Sequence, residues 1–193
     1  MPGAELAVLR FASSGAWESW LEEHHAQAPG VWLEFAKRGA APATLTRSDA
    51  LDGALCFGWI DGQVRSVDEG RYRQRFTPRR ARSRGSQINR DRVAALQAAG
   101  RMRPAGLAEV EHARADGRWD AAYAGSRSAT VPEDLERALA AASPPARAFF
   151  AALSSANRYA ILYRVEEARR AQTRVARIAR IIAMLEAGET FHP

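Results

Sequence analysis

The segment at residues 55–84 reads LCFGWIDGQVRSVDEGRYRQRFTPRRARSR and decides the fold that the sequence predicts. Residues 63–67 and 71–76 each alternate between two sets of side chains, and an Asp-Glu-Gly stretch at 68–70 separates them. Alternating runs joined by a turn rich in Asp and Gly are typical of a β-hairpin. Asp61-Gly62 predicts another turn just before the first run.

The patterns on either side of this hairpin add helices and one more strand. Trp17, Trp20 and Leu21 recur at helical spacing, and VWLEFA at 31–36 alternates as a strand does. Helical patterns resume after Pro78 and fill the last third of the chain. The sequence therefore predicts an α+β fold, in which a small antiparallel sheet is covered by helices and followed by a helical C-terminal module.

A short Gly-Ser-Arg-Ser stretch at residues 125–128 is typical of a linker between two such parts. We therefore predict an α+β domain at residues 1–125, which carries the hairpin segment. A helical module at residues 126–193 is predicted to pack on it.

The composition excludes several classes of protein. A chain of 193 residues with 47% hydrophobic residues can bury a substantial core. A single cysteine excludes an internal disulfide framework and a cysteine-rich zinc site. No stretch approaches the roughly 18 apolar residues of a membrane span, and the N-terminal residues lack the pattern of a secretory signal. We therefore expect a cytoplasmic protein.

The chain is strongly basic, with a net charge of +6 and Lys37 as the only lysine among 28 Lys and Arg residues. Arginine presents planar forks that suit carboxylates and phosphates, which favours an anionic partner. A genomic bias toward Ala, Gly and Arg codons explains the same excess without any partner. The sequence leaves both interpretations open.

Several blocks of the chain carry a resemblance to a known family. They are GVWLEFAKRG at 30–39, ALDGALCFGWIDGQ at 50–63, RYRQRFTPRR at 71–80, INRDRV at 88–93, ADGRWDAAY at 115–123 and the helical stretch at 131–189. These blocks resemble the YdeI/OmpD-associated family, whose members are also called bacteriocin-protection proteins, and the stretch at 131–189 resembles its short helical OmdA-type module. The resemblance implies protection against antimicrobial peptides and a role in envelope stress, and it implies no catalytic residues.

The chain departs from the expected family pattern at Gly85. The resemblance implies Ser-x-Trp-Ser before the Ile-Asn pair, whereas residues 83–86 read Ser-Arg-Gly-Ser. If the tryptophan normally fills a pocket, this chain has a larger pocket. If the tryptophan normally contacts a partner, this chain has lost that contact.

Cys56 and Asp61 each have a chemical and a structural interpretation. A thiolate beside Arg75 or Arg79 would be reactive, but free cysteines are usually small core residues. Asp61 can act as a general acid or base, whereas an aspartate in an Asp-Gly turn more often stabilises the turn. We favour the structural interpretation for both residues.

Arg71, Arg73 and Arg75 recur at strand spacing and are predicted to share one face, with positions 72, 74 and 76 on the other. One cationic and one partly aromatic face suit a groove for an anion. Basic residues interleaved with aromatic ones also occur in single-strand nucleic-acid binders. The alternative is a solvated edge strand that its charge keeps soluble.

The sequence thus predicts a cytoplasmic stress or antimicrobial-resistance protein that binds an anionic or small-molecule ligand. Two alternatives are an enzyme or self-resistance protein with a pocket enlarged at Gly85, and a nucleic-acid-binding protein. No metal-ligand spacing or glycine-rich phosphate loop occurs, so we expect neither a metal nor a cofactor. The predicted ligand-binding residues are Trp32, Cys56, Trp59, Asp61, Arg73, Arg75, Thr77, Arg79, Arg80, Gly85 and Trp119.

Overall fold

The computed structural model of the chain describes residues 5–81, 83, 85–120, 122 and 129–192. The chain divides into two compact units, Met1–Ala122 and Tyr123–Pro193. Each unit has a hydrophobic core of its own. The predicted linker at 125–128, and with it the predicted domain boundary, lies outside the described residues and stays a prediction.

The first unit combines four helices with a four-stranded sheet in its described part, and the second is helical, so the predicted α+β fold is confirmed. The sheet has the strand order β1-β2-β4-β3. Its strands are β1 (Val8–Leu9), β2 (Val31–Ala36), β3 (Trp59–Ser66) and β4 (Arg71–Pro78). The helices of this unit are α1 (Ser14–His24), α2 (Arg47–Cys56), α3 (Gln87–Ala98) and α4 (Pro104–Ala115).

The sheet is mixed rather than purely antiparallel, which corrects one part of the prediction. The pairs β2–β4 and β3–β4 are antiparallel, but β1 pairs with β2 in parallel. Parallel neighbours need a crossover connection, and α1 provides it. With only two residues, β1 is too short to show an alternating pattern in the sequence.

The predicted hairpin is present as β3 and β4, but the predicted turn at Asp61-Gly62 is wrong. Strand β3 continues through both residues, and the register with β4 shifts between Asp61 and Val64. A β-bulge of this kind accommodates an extra residue within a strand and so removes the need for a turn. The turn of the hairpin lies at 68–70, where the Gly70 N–H donates to Asp68 Oδ1 at 2.7 Å.

The central tryptophan of the first unit joins α1 to the sheet and to α2. Trp17 is fully buried, and its ring packs edge-on against Trp59 and Phe76. The Trp17 Nε1–H donates to the Ala50 carbonyl at 3.0 Å within α2. Gly53 of α2 lies against the same indole, where a Cβ atom would come within 2.9 Å of Trp17 Cδ1. Helices α1 and α2 therefore cover the inner face of the sheet.

The described part of the second unit consists of helices, as predicted. They are α5 (Glu133–Ala141), α6 (Pro144–Ala152), α7 (Ser155–Glu167) and α8 (Ala171–Glu186). Helix α8 packs against the other three helices and contributes Leu185 to their core. The Arg174 Nη2 donates to Asp134 Oδ1 at 2.9 Å, and this hydrogen bond lowers the pKa of Asp134. The start of α5 is thereby held to α8.

A membrane-spanning helix needs about 20 predominantly apolar residues. Across the ranges given above, the structure contains no helix that is both long enough and apolar enough for this role.

Candidate functional site

A cavity of about 40 Å³ lies in the first unit, where the start of β3 meets α2, α3 and α4. Its wall includes four of the predicted ligand-binding residues, and two of these are tryptophans. The cavity therefore brings together residues that are up to 60 positions apart in sequence. These four residues are Trp59, Arg79, Gly85 and Trp119.

Two glycines allow the helices around this cavity to approach each other closely. A Cβ atom on Gly106 would lie 2.2 Å from the Cys56 carbonyl oxygen, so only glycine permits this contact between α4 and the end of α2. Gly58 has φ +74°, a conformation that favours glycine, and a Cβ atom there would lie 3.2 Å from the Ala105 oxygen. On one side, the cavity is therefore bounded by the closely packed backbones of α4 and the end of α2.

The floor of the cavity is apolar and belongs to the hydrophobic core. It includes Leu55, Val93 and Val110, all of which are buried. The Trp59 ring is buried too, and its Nε1–H donates to the His25 carbonyl at 3.1 Å. Trp119 is only partly buried and packs against the same core. A ligand here would contact aromatic and aliphatic carbon on one side.

Charged groups line the rest of the wall, and arginine prevails among them. Arg118 has a side chain only 12% exposed and donates to Glu109 Oε1 at 3.0 Å and to Asp116 Oδ2 at 2.7 Å. Burial opposes the charge of Arg118, but the hydrogen bonds to the two carboxylates outweigh it and raise the pKa of Arg118. Arg90 donates to the Trp119 carbonyl at 3.4 Å. These contacts hold cationic groups in fixed positions around the cavity.

Gly85, the position at which the chain departs from the expected family pattern, lies in the wall of this cavity. A Cβ atom on Gly85 would contact Arg79 Nη1 at 3.7 Å, an ordinary van der Waals distance, and would meet no other atom within 4 Å. A small side chain is therefore tolerated at this position. A tryptophan at this position would add a large side chain to the wall of the cavity.

Three other predicted site residues lie on the outer face of the sheet, away from the cavity. Trp32 of β2 pairs with Arg75 of β4, Glu34 pairs with Arg73, and Arg65 of β3 pairs with Arg73 from the other side. Directly paired residues share a face. We call this surface the arginine face, and it consists of Arg10, Trp32, Glu34, Arg65, Arg71, Arg73 and Arg75.

The interpretation of this arginine series as a solvated edge strand is wrong, because β4 lies between β2 and β3. The predicted division into two faces is present, since Gln74 and Phe76 point to the inner face and are 1% and 0% exposed. The ring of Tyr72 stacks on Phe35 with centroids 5.2 Å apart. Phe76 therefore belongs to the core, and Tyr72 is partly buried and packs against it.

Glu34 is the carboxylate at the centre of the arginine face. It is 5% exposed and accepts hydrogen bonds from Arg10 and from Arg73 Nε, the latter at 3.0 Å. Arg71 Nη1 lies 4.0 Å from Glu34 Oε1 without a hydrogen bond. Burial opposes ionisation of Glu34, but the two arginines outweigh it and hold the pKa of Glu34 below its usual range.

The lowered pKa of Glu34 predicts an acid-sensitive contribution to stability. Because the folded protein binds this proton less tightly than the unfolded chain, the contribution is present above a pH of about 4.5 and is lost as the pH falls through the lower pKa of the folded state. At pH 7, Glu34→Gln should lower the free energy of unfolding by about 1–3 kcal/mol. Urea unfolding at pH 7 and pH 3 should show this difference shrinking in acid. Glu69→Gln, at an exposed position in the hairpin turn, is the control, and an equal effect there would contradict the assignment.

Asp61 lies on the inner face of the sheet and takes part in a structural hydrogen-bond network. Its Oδ2 atom accepts from Gln74 Nε2 at 2.7 Å and from Arg47 Nη2 at 3.0 Å. Arg47 Nε also donates to Gln74 Oε1 at 2.7 Å. The three side chains satisfy one another, so Asp61 stabilises the sheet through its partners rather than through a turn.

The three remaining predicted residues contribute nothing to the cavity. Cys56 is buried in the core, and burial raises the pKa of its thiol, which opposes a reactive thiolate. The charged groups that most affect the pKa of this thiol are Arg101 and Glu18, and neither Arg75 nor Arg79 is among them. Thr77 pairs with Ile60, and Arg80 is exposed just after β4. Arg82 and Arg84, at the end of the segment 55–84, lie outside the described residues.

Sequence reasoning did not single out Arg90, Glu109 or Arg118 as site residues. Arg90 and Arg118 stand within the blocks INRDRV and ADGRWDAAY, so the resemblance contained a signal for them. Glu109 had none, because a glutamate within a helical pattern is most often solvated. A search of the described residues finds no group of three or more His, Cys, Asp or Glu side chains placed to hold a metal ion.

The fold and the site define a two-unit protein, in which an α+β unit holds a small cationic cavity and the other unit is helical. Residues 9–109 match a family described as a domain of unknown function (DUF8412), and residues 128–188 match the family Bacteriocin-protection, YdeI or OmpD-Associated (OmdA). The chain belongs to the DUF8412 family, and the predicted resemblance to the YdeI/OmpD-associated family is confirmed by the match over residues 128–188. No curated protein and no solved structure matches the chain.

Proposed function

We propose that this protein is a cytoplasmic, non-enzymatic resistance protein that binds a small-molecule ligand through a compact anionic group in the cavity beside Gly85. The observation that carries the proposal is the convergence of Arg79, Arg118, Trp59 and Trp119 on one cavity. The match of the second unit to the bacteriocin-protection family supports the protective role.

The size of the cavity limits what can enter it. A single water molecule needs roughly 10–15 Å³, so a cavity of about 40 Å³ holds a group of a few heavy atoms. A carboxylate or a phosphate is of this size. The remainder of a larger ligand would lie outside the cavity, beside the partly buried Trp119 and the Arg114 guanidinium over its ring.

The electrostatics of the cavity favour an anion. Hydrogen bonds to ionised groups are stronger than neutral ones, and they strengthen further where apolar walls lower the local dielectric constant. Asp116 and Glu109 fix the guanidinium of Arg118 in advance. Little conformational entropy is then lost on binding, which favours affinity for a small ligand.

A bulky side chain at position 85 should weaken binding, because it would compete with the ligand for the cavity. We expect Gly85→Trp to weaken the binding of benzoate and of inorganic phosphate at least about tenfold, which is 1.4 kcal/mol. Gly85→Ala is the matched control and should bind as the wild type does, since its Cβ atom meets only ordinary contacts. Titration calorimetry measures all three proteins. Equal affinity in Gly85→Trp, or no binding of either probe to the wild type, would contradict the proposal.

The same variants test the protective role in cells. A strain that lacks the gene is supplied with the wild type, Gly85→Ala or Gly85→Trp and is challenged with a panel of bacteriocins and antimicrobial peptides. We expect the first two proteins to restore survival to at least one of the compounds and Gly85→Trp to fail at equal expression. Survival that does not depend on the gene would contradict the protective role. Full protection by Gly85→Trp would show that protection does not depend on the cavity.

A further inference from the structure

We propose that the arginine face is a docking surface for an extended acidic peptide segment of a partner protein. This surface lies on the outer face of the sheet and shares no residue with the wall of the cavity. The inference is therefore independent of the function proposed for the cavity.

The arginine face carries five arginines and a single carboxylate, that of Glu34. Three of its five arginines lie within 4.0 Å of Glu34, and within the described residues Arg65 and Arg75 have no carboxylate within that distance. Arg65 instead lies over the Trp32 ring, with its Cζ atom 4.8 Å from the ring centroid. The surface therefore presents cationic groups that its own acidic side chain leaves unpaired.

Two donors of this surface are buried and make no hydrogen bond to the described part of the protein. They are Arg71 Nη1 and Arg75 Nε. Arg75 lies along the bulge in β3, where a Cβ atom on Gly62 would be 3.5 Å from Arg75 Nε. Both atoms are closed to solvent, and Arg71 Nη2 already donates to the Ala41 carbonyl at 3.0 Å. A partner's carboxylate would therefore bind the outer parts of these two guanidinium groups, whose charge Glu34 does not fully neutralise.

The spacing of these donors matches an extended peptide. Side chains on one face of a strand recur every 6.6 Å or so, which places Arg71 and Arg75 about 13 Å apart. Glu34 occupies the place between them by accepting from Arg73. Glu34 thus shows how this face binds a carboxylate. An extended segment with acidic residues at positions i and i+4 would supply two further carboxylates, one beside Arg71 and one beside Arg75.

The surface suits carboxylates better than it suits single-stranded nucleic acid. Such nucleic-acid sites stack bases on exposed aromatic rings. The rings of Tyr72 and Phe76 face the core, and Arg65 already covers Trp32. What the face offers instead is a row of planar forks, and these match carboxylate geometry.

The test titrates the full-length protein with a nine-residue Ser/Thr peptide that carries two glutamates four positions apart. We expect Arg71→Gln/Arg75→Gln to weaken binding at least about tenfold. The charge-matched control Arg137→Gln/Arg180→Gln, at exposed positions of the second unit, should change it less than twofold. A peptide with its glutamates three positions apart should bind more weakly than the first, because its acids point to opposite sides.

Each of the other outcomes counts against the proposal. Equal losses in the two double variants would show unspecific attraction, and tighter binding of a single-stranded oligonucleotide of the same charge would favour nucleic acid. Absence of peptide binding to the wild type would also overturn it. Arg75→Lys distinguishes lost recognition from misfolding, since it keeps the positive charge but removes the planar guanidinium group. It should retain the thermal unfolding midpoint and still lose part of the affinity, and full affinity in this variant would contradict recognition by the fork.

Discussion

Replacement of Gly106 by alanine is expected to lower the free energy of unfolding by about 3 kcal/mol, the upper end for overpacking in a core. The added Cβ atom would lie 2.2 Å from the Cys56 carbonyl oxygen and 2.9 Å from that of Leu55. Both obstacles are backbone atoms, so no side chain can rotate away. The Arg103 N–H also donates to the Cys56 oxygen at 3.1 Å, which fixes the start of α4 against the end of α2. Equilibrium unfolding in urea measures the change.

The sign of this effect makes the prediction specific. In an exposed helix, alanine is more favourable than glycine by about 1 kcal/mol, so a helix that were free on this side would be stabilised. Gly15→Ala is the matched control, because Gly15 lies in α1 and a Cβ atom there meets nothing within 4 Å. We expect this control to leave stability unchanged or slightly raised. A stabilising effect of Gly106→Ala would contradict the close approach of α4 to α2.

Replacement of Trp17 by alanine is expected to cost about 4 kcal/mol of unfolding free energy, within the range for a buried large aromatic residue. The substitution removes a fully buried ring that contacts Trp59 and Phe76, and it also leaves the Ala50 carbonyl without its donor. Since α1 and α2 cover the sheet through this side chain, the near-UV circular dichroism signal should fall as well. Thermal and urea unfolding measure the loss.

Trp20 provides the comparison for this prediction. It stacks on Trp17 with centroids 5.4 Å apart but is only partly buried. Trp20→Ala should therefore cost clearly less than Trp17→Ala. Equal losses at the two positions would show that Trp17 does not occupy the centre of the core.

Much of the first unit was predictable because two of its strands, β2 and β4, alternate between two sets of side chains. The runs at 31–36 and 71–76 place Phe35 and Phe76 on the inner face, where both are buried. The register of β2 with β4 follows from this, since a slip by one residue would expose Phe76 and bury Arg75. The hairpin turn at 68–70 was predictable from its Asp and Gly residues.

Other features depend on contacts that no local pattern contains. An Asp-Gly pair is typical of a turn, yet Asp61 remains in β3 because a bulge accommodates the extra residue and because Gln74 and Arg47 satisfy its carboxylate. The burial of Glu34 depends on Arg10, which is 24 residues away in sequence. A charged residue in a strand pattern is read as solvent-facing unless its distant partners are known.

The candidate site was only partly predictable, because its residues come from several distant parts of the sequence. The family resemblance led to Trp59, Arg79, Gly85 and Trp119, and these residues meet at one cavity. Arg73 belongs to the same sequence block as Arg79 but points to the outer face of the sheet. Proximity in sequence therefore grouped two surfaces that the structure separates into a cavity and the arginine face.

The central claim is that the cavity beside Gly85 binds a compact anion, and nuclear magnetic resonance of the indole N–H groups tests it most directly. The chain has five tryptophans, of which Trp59 and Trp119 line the cavity while Trp32 lies on the arginine face. The wild type is titrated with benzoate and, separately, with inorganic phosphate. The account predicts that the signals of Trp59 and Trp119 shift, that the Trp32 signal stays in place, and that the shifts disappear in Gly85→Trp. Shifts confined to Trp32, or identical shifts in Gly85→Trp, would contradict it.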